Sequence, residues 1–82
     1  MSLQKLKDAF SEALRLAPDC DVEILEYRGI ATWDSVGHMQ LIAEIEAAFD
    51  IMLETEDVLA MSSFTKGKEI VTKYGVDLDA PG

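Results

Sequence analysis

Apolar residues recur along this chain at three- and four-residue steps and nowhere alternate in a sustained two-residue pattern, so helices are the elements through which it can bury a core. Leu3, Leu6, Phe10 and Leu14, with Ala9, Ala13 and Ala17 alongside, predict a first amphipathic helix that closes near Pro18. Residues 18–34 then form a long connection, with Ile24, Leu25, Tyr27 and Ile30 as expected anchors. A loop of that length in a small domain has a purpose or contains a short helical turn. Val36, Met39, Ile42, Ile45 and Phe49, flanked by Leu41, predict the second helix. Asp50 to Thr55 reads as a break. Glu56 to Met61 predicts a short helix whose early acids complement the helix dipole. Ser62, Ser63 and Thr65 are capping candidates for a last helix with Ile70, Val71 and Tyr74 inside, and Gly75 suits its C-terminal cap. The expected fold is all-α, a small four-helix bundle of three longer helices plus one short one. It occupies a single domain over residues 1–82, with a flexible tail from about Val76.

A chain of 82 residues is too small to divide into two cores. Cys20 is its one cysteine and His38 its one histidine, so neither an internal disulfide nor a metal site is predicted. Cys20 reads as a small loop residue. The longest apolar run falls well short of a membrane span and no apolar leader opens the chain, so a soluble, cytoplasmic monomer is expected, with no membrane partner. The net charge of −9 argues against nucleic acid as well. Acidity is concentrated in the middle, where eleven carboxylates in residues 18–65 stand against Arg28 alone. Such a belt steers a basic surface toward it, although a solvated acidic face needs no partner.

The stretch with chemical content is Trp33-Asp34-Ser35-Val36-Gly37-His38-Met39-Gln40-Leu41-Ile42. Ser35 stands at a loop-to-helix boundary, directly after an acid. A hydroxyl there projects toward solvent, and the free N–H groups and positive dipole end of the helix favour a phosphate ester on it. The same position also suits an ordinary N-cap. Ser35 and His38, three apart, share a helix face as a hydrolase pair would. However, no third group is evident to orient the imidazole and no Gly-x-Ser-x-Gly elbow surrounds the serine, so His38 reads as an exposed first-turn residue. Asp19-Cys20-Asp21-Val22-Glu23 begins like a calcium loop but continues with Ile24 and Ile30 where Gly and Glu are required.

Asp34-Ser35, a hydrophobic residue next, and an amphipathic helix ending in Phe49-Asp50-Ile51 together resemble the acyl carrier protein family. The likeness continues through the first helix, the long first loop, a short acidic third helix and Phe64-Thr65 opening the last helix, which is nearly the whole chain. It implies that Ser35 bears a covalent 4'-phosphopantetheine arm, installed from coenzyme A by a phosphopantetheinyl transferase. It further implies a carrier that is not an enzyme and has no catalytic residue. Acyl groups would travel on it as thioesters to a ligase, ketosynthase or acyltransferase of a lipid, polyketide or other specialised pathway. Against the fatty-acid members of that family, Val36 replaces Leu, Gly37 replaces an acid, Gln40 replaces a glutamate, and Ala47 and Ala48 stand where glutamates are common. Asp34 and Glu46 remain, and Glu44 is an acid where a small residue is usual. A less charged docking face follows, and with it a dedicated rather than a bulk-lipid carrier. Trp33, where Gly is common, reads as a packing anchor for the loop. An aminoacyl carrier stays open: the D-alanyl type has a similar Phe-Asp-Ile segment, whereas the peptidyl type usually has Gly-Gly where this chain has Thr32-Trp33. So does a cofactor-free interaction module of the same fold. Met39, Ile42, Ile45, Met52, Leu59 and Met61 are expected to line the bundle.

Overall fold

The computed structural model describes residues 2–78. Its elements in chain order are α1 (Ser2–Leu14), a 3-10 turn (Val22–Ile24), α2 (Ser35–Phe49), α3 (Thr55–Ala60) and α4 (Phe64–Lys73). Among the described residues there is no strand, only an isolated antiparallel bridge between Glu26 and Ser63. Three longer helices and one short one therefore form the all-α bundle that the periodicity predicts, and the long connection does contain a helical turn. No helix among the described residues is long and apolar enough to cross a membrane.

The helix ends follow from local chemistry. Helix α1 stops at Leu14, before Pro18, because Arg15 turns left-handed (φ 54°) and the Leu16 amide donates back to the Ser11 carbonyl at 3.0 Å. Ala17 is left exposed. The Asp34 carboxylate caps α2 by accepting from the Gly37 amide at 2.9 Å. Of the three capping candidates for α4, Ser63 makes the bond, accepting from the Lys66 amide at 3.0 Å. Gly75 follows that helix at φ 94°, as its expected role requires. Beyond it, Val76 and Leu78 make contacts with the bundle. The Val76 amide donates to the Val71 carbonyl at 3.2 Å, and Val76 and Leu78 lie half-buried against the core. The remainder of the expected flexible tail, 79–82, lies outside the described residues.

Phe10 sits at the centre of the core, edge-on to Trp33 at 5.6 Å and to Phe64 at 4.9 Å. Around these rings pack Leu6 and Leu14 of α1, Leu41, Ile42 and Ile45 of α2, Ile70 and Val71 of α4, and the loop residues Leu25 and Met61. The inner face of α2 differs from the expected stripe. Val36 and Met39 are 66% and 61% exposed, while Gly37, Leu41, Ile42 and Ile45 point inward. Gly37 sets this rotation: a Cβ there would overlap the carbonyl oxygen of Thr32, so the loop crosses the helix where only glycine admits it. Met52 and Leu59 likewise face outward rather than lining the bundle, and Ile24 is exposed while its neighbour Leu25 takes the anchoring role. Gly37→Ala should cost about 1–3 kcal/mol in a urea titration, because loop and helix must separate. A loss within about 0.5 kcal/mol, the range of an indifferent surface site, would contradict this account of the crossing.

Short α3 buries no apolar side chain fully; Asp57 is its one buried residue. The Asp57 carboxylate accepts from the Lys73 ammonium and from the Tyr74 hydroxyl (2.5 Å), and the Tyr74 oxygen in turn accepts from the Glu54 amide at 2.8 Å. Hydrogen bonding from Lys73 first, then from Tyr74, holds the Asp57 carboxyl below its usual range. The same carboxylate holds the Lys73 ammonium above its own. Polar bonds rather than buried area fasten α3 to the bundle.

Candidate functional site

Ser35 is the first residue of α2, and the loop that delivers it is fixed by main-chain bonds. Tyr27 donates to the Ser62 carbonyl at 2.8 Å and Phe64 to the Leu25 carbonyl at 3.1 Å, on either side of the Glu26–Ser63 bridge. Arg28 then donates to the Trp33 carbonyl at 3.0 Å, folding the loop back toward the helix. Trp33 itself is fully buried, which settles its role as an anchor.

The Trp33 indole N–H donates to His38 Nδ1 at 3.0 Å. An indole can only donate, so Nδ1 accepts, and the ring proton resides on Nε2, which donates to the Val58 carbonyl at 2.7 Å. The two rings stack 14° from parallel. His38 is therefore half-buried and occupied at both nitrogens, not the exposed residue expected from its place in the first turn. It ties the loop, α2 and α3 together. The Ser35–His38 pairing that a hydrolase would need is not formed.

The hydroxyl of Ser35 instead meets Tyr27, with 3.5 Å between the two oxygens and either able to donate. Tyr27 is held edge-on against Trp33 at 6.2 Å and against His38 at 5.5 Å. The Arg28 guanidinium lies over the Tyr27 ring, 5.4 Å from its centre. Hydrogen bonding to Ser35, and secondarily to Arg28, draws the Tyr27 phenol below its ordinary range. Tyr27 escaped the sequence reading as a site residue. It stands eight positions before the serine, and the turn closed by the Arg28 amide on the Trp33 carbonyl brings it alongside.

A bond to Ser35 stabilises the charged phenolate, so removing it must raise the titration midpoint. Ser35→Ala should therefore move the Tyr27 transition in 295-nm absorbance to higher pH, with Tyr27→Phe assigning the signal. An unchanged midpoint would mean that the two oxygens do not interact.

Downstream of Ser35, the outer surface of α2 presents Val36, Met39, Gln40, Ala43, Glu44 and Ala47. Of the two acids shared with the fatty-acid pattern, Asp34 is spent on the cap and Glu46 is half-buried, accepting from the Leu53 amide at 2.9 Å. Glu46 is thus a staple for the α2–α3 loop rather than a docking acid. Cys20 packs half-buried against the core. A cavity of about 140 Å³ opens between Tyr27, His38, Leu59, Met61 and Ser62. No group of three or more metal-ligating side chains occurs among the described residues.

These residues fit a phosphopantetheine arm at Ser35. The serine is exposed, the Tyr27 hydroxyl stands beside its oxygen, and the Arg28 guanidinium lies over the Tyr27 ring. In comparison with protein families, curated proteins and solved structures, the chain matches none.

Proposed function

We propose that this protein is a carrier: Ser35 takes a 4'-phosphopantetheine arm, and the folded domain presents the cargo on that arm to separate enzymes. The observation that carries the proposal is a division of tasks at the head of α2. Asp34, not Ser35, satisfies the Gly37 amide, so the serine hydroxyl is released from the capping duty that occupies most serines at this position. It stands exposed, with an exposed apolar face of Val36 and Met39 directly after it. His38 is committed elsewhere and supplies no base. That favours modification by a second protein over chemistry performed by this one.

In the modification, Ser35 Oγ forms a bond to the phosphorus that bears the pantetheine in coenzyme A. The bond from that phosphorus to the adenosine bisphosphate half breaks, and the hydroxyl proton passes to a base of the phosphopantetheinyl transferase. The group, once attached, supplies a thiol for thioester carriage. The chain's own residues position it and display a surface to the acyl or aminoacyl ligase, ketosynthase or acyltransferase that uses it. The weakly charged exposed face of α2 supports a dedicated biosynthetic pathway rather than bulk lipid synthesis.

Core packing bears on the cargo. Trp33, Phe10 and Phe64 fill the interior, and the cavity beside Tyr27 holds only about 140 Å³. A short acyl or an aminoacyl group carried in solvent suits this packing better than a long aliphatic chain sequestered inside. Intact-protein mass after incubation with coenzyme A and a broad-specificity transferase tests the proposal. The expected result is a gain of one arm.

A further inference from the structure

The contact between Tyr27 and Ser35 is more than loop packing. Tyr27 is held by rings on two sides, and its hydroxyl reaches the one serine oxygen at the head of α2. Arg28 is the only cation in residues 18–65, yet it lies over this same ring. Its backbone is left-handed (φ 64°), a conformation that a side chain other than glycine or asparagine adopts at a cost, and its amide is tied to the Trp33 carbonyl. The fold thus places a phenol at the Ser35 oxygen and a guanidinium over that phenol's ring, a neutral donor backed by a cation, in the most acidic stretch of the chain.

We propose that Tyr27 and Arg28 form a clamp for the phosphodiester on Ser35, with Tyr27 positioning the serine oxygen before modification and both side chains donating to the phosphate oxygens afterwards. This inference rests on the carrier reading and adds to it the residues that restrain the arm at its root. The phosphoester oxygen cannot donate once its hydrogen is replaced, so the Tyr27 hydroxyl becomes the donor. The guanidinium matches the single negative charge that a phosphodiester carries. Among the described residues, Asp34 forms no ion pair with Arg28 and one of its oxygens caps α2 through the Gly37 amide.

The test compares wild type, Tyr27→Phe, Arg28→Ala and the double variant in the transferase reaction, followed by ³¹P NMR of the modified proteins. Tyr27→Phe keeps the ring against Trp33 and His38 and deletes one oxygen, and Arg28 is an exposed side chain, so both variants should fold. Circular dichroism checks this. The expected result is a three- to tenfold slower initial rate of arm attachment for Tyr27→Phe, the weight of about one hydrogen bond. The phosphodiester resonance should shift in each single variant and move furthest toward that of a free phosphodiester in the double. If both variants are modified at the wild-type rate and keep the wild-type resonance, there is no clamp, while the carrier reading stands. If wild type gains no arm from a transferase that modifies a control carrier, the carrier reading fails and the clamp fails with it.

Discussion

Ser35→Ala should reduce attachment of the arm from complete to none, leaving the intact mass unchanged after incubation with coenzyme A and a transferase. The substitution deletes the oxygen on which the arm is proposed to form its phosphoester. It leaves the helix start alone, because the cap is made by the Asp34 carboxylate. Stability should therefore fall by no more than about 1 kcal/mol, the weight of the one exposed hydrogen bond to Tyr27. That separation gives the experiment its force, since loss of attachment cannot be blamed on loss of fold. The chain has other serines near Tyr27. Ser63 is occupied as the cap of α4, whereas Ser62 stands exposed beside the cavity next to Tyr27. Attachment that persists in the alanine variant would mean that a different hydroxyl bears the arm, and the proposed site would be wrong.

Trp33→Ala should be the most destabilising single change, at about 3–5 kcal/mol in urea denaturation followed by circular dichroism. A domain of this length holds roughly 4–12 kcal/mol in total, so the variant will be largely unfolded on warming. Two losses combine. The indole is fully buried against Phe10 and Tyr27, so truncation opens a cavity where three segments meet. Its N–H is also the partner of His38 Nδ1, and removing it leaves that acceptor half-buried and unpaired. Through His38 the effect reaches the Val58 carbonyl and hence α3. Trp33→Phe restores part of the packing without the donor and should recover only part of the stability. A loss under about 1 kcal/mol for the alanine variant would show that Trp33 is not the anchor of the loop.

Helices were legible in this sequence because their signals are local. The stripe of Leu6, Phe10 and Leu14 and the acid–serine step at the head of α2 depend on neighbours within one or two turns. The orientation of α2 was not legible, because Val36 and Met39 obey the same spacing as Leu41 and Ile45. What selects between the two faces is the passage of Thr32 over Gly37, a contact made by the folded loop. Glu46 and His38 were misplaced for the same reason. Each is a surface residue by type, and each is drawn inward by a main-chain partner, Leu53 or Val58, supplied by a different element. Ser35 can be singled out from sequence because its residue type and its place after an acid at a helix start are both local signals. Tyr27 was missed because its role depends on tertiary placement alone.

The share of α3's fastening that comes from the Asp57 carboxylate, beside the His38–Val58 bond, makes its docking depend on protons. Asp57 titrates below its unfolded value, so its contribution is present above about pH 4 and disappears as the solution is acidified through the folded value. Lys73 titrates above its unfolded value, so its share is present below about pH 10 and vanishes as alkali passes the folded value. Between those limits the segment stays closed. At the acid limit it should detach while the aromatic centre persists, and amide exchange in residues 55–60 should then outpace that of α1.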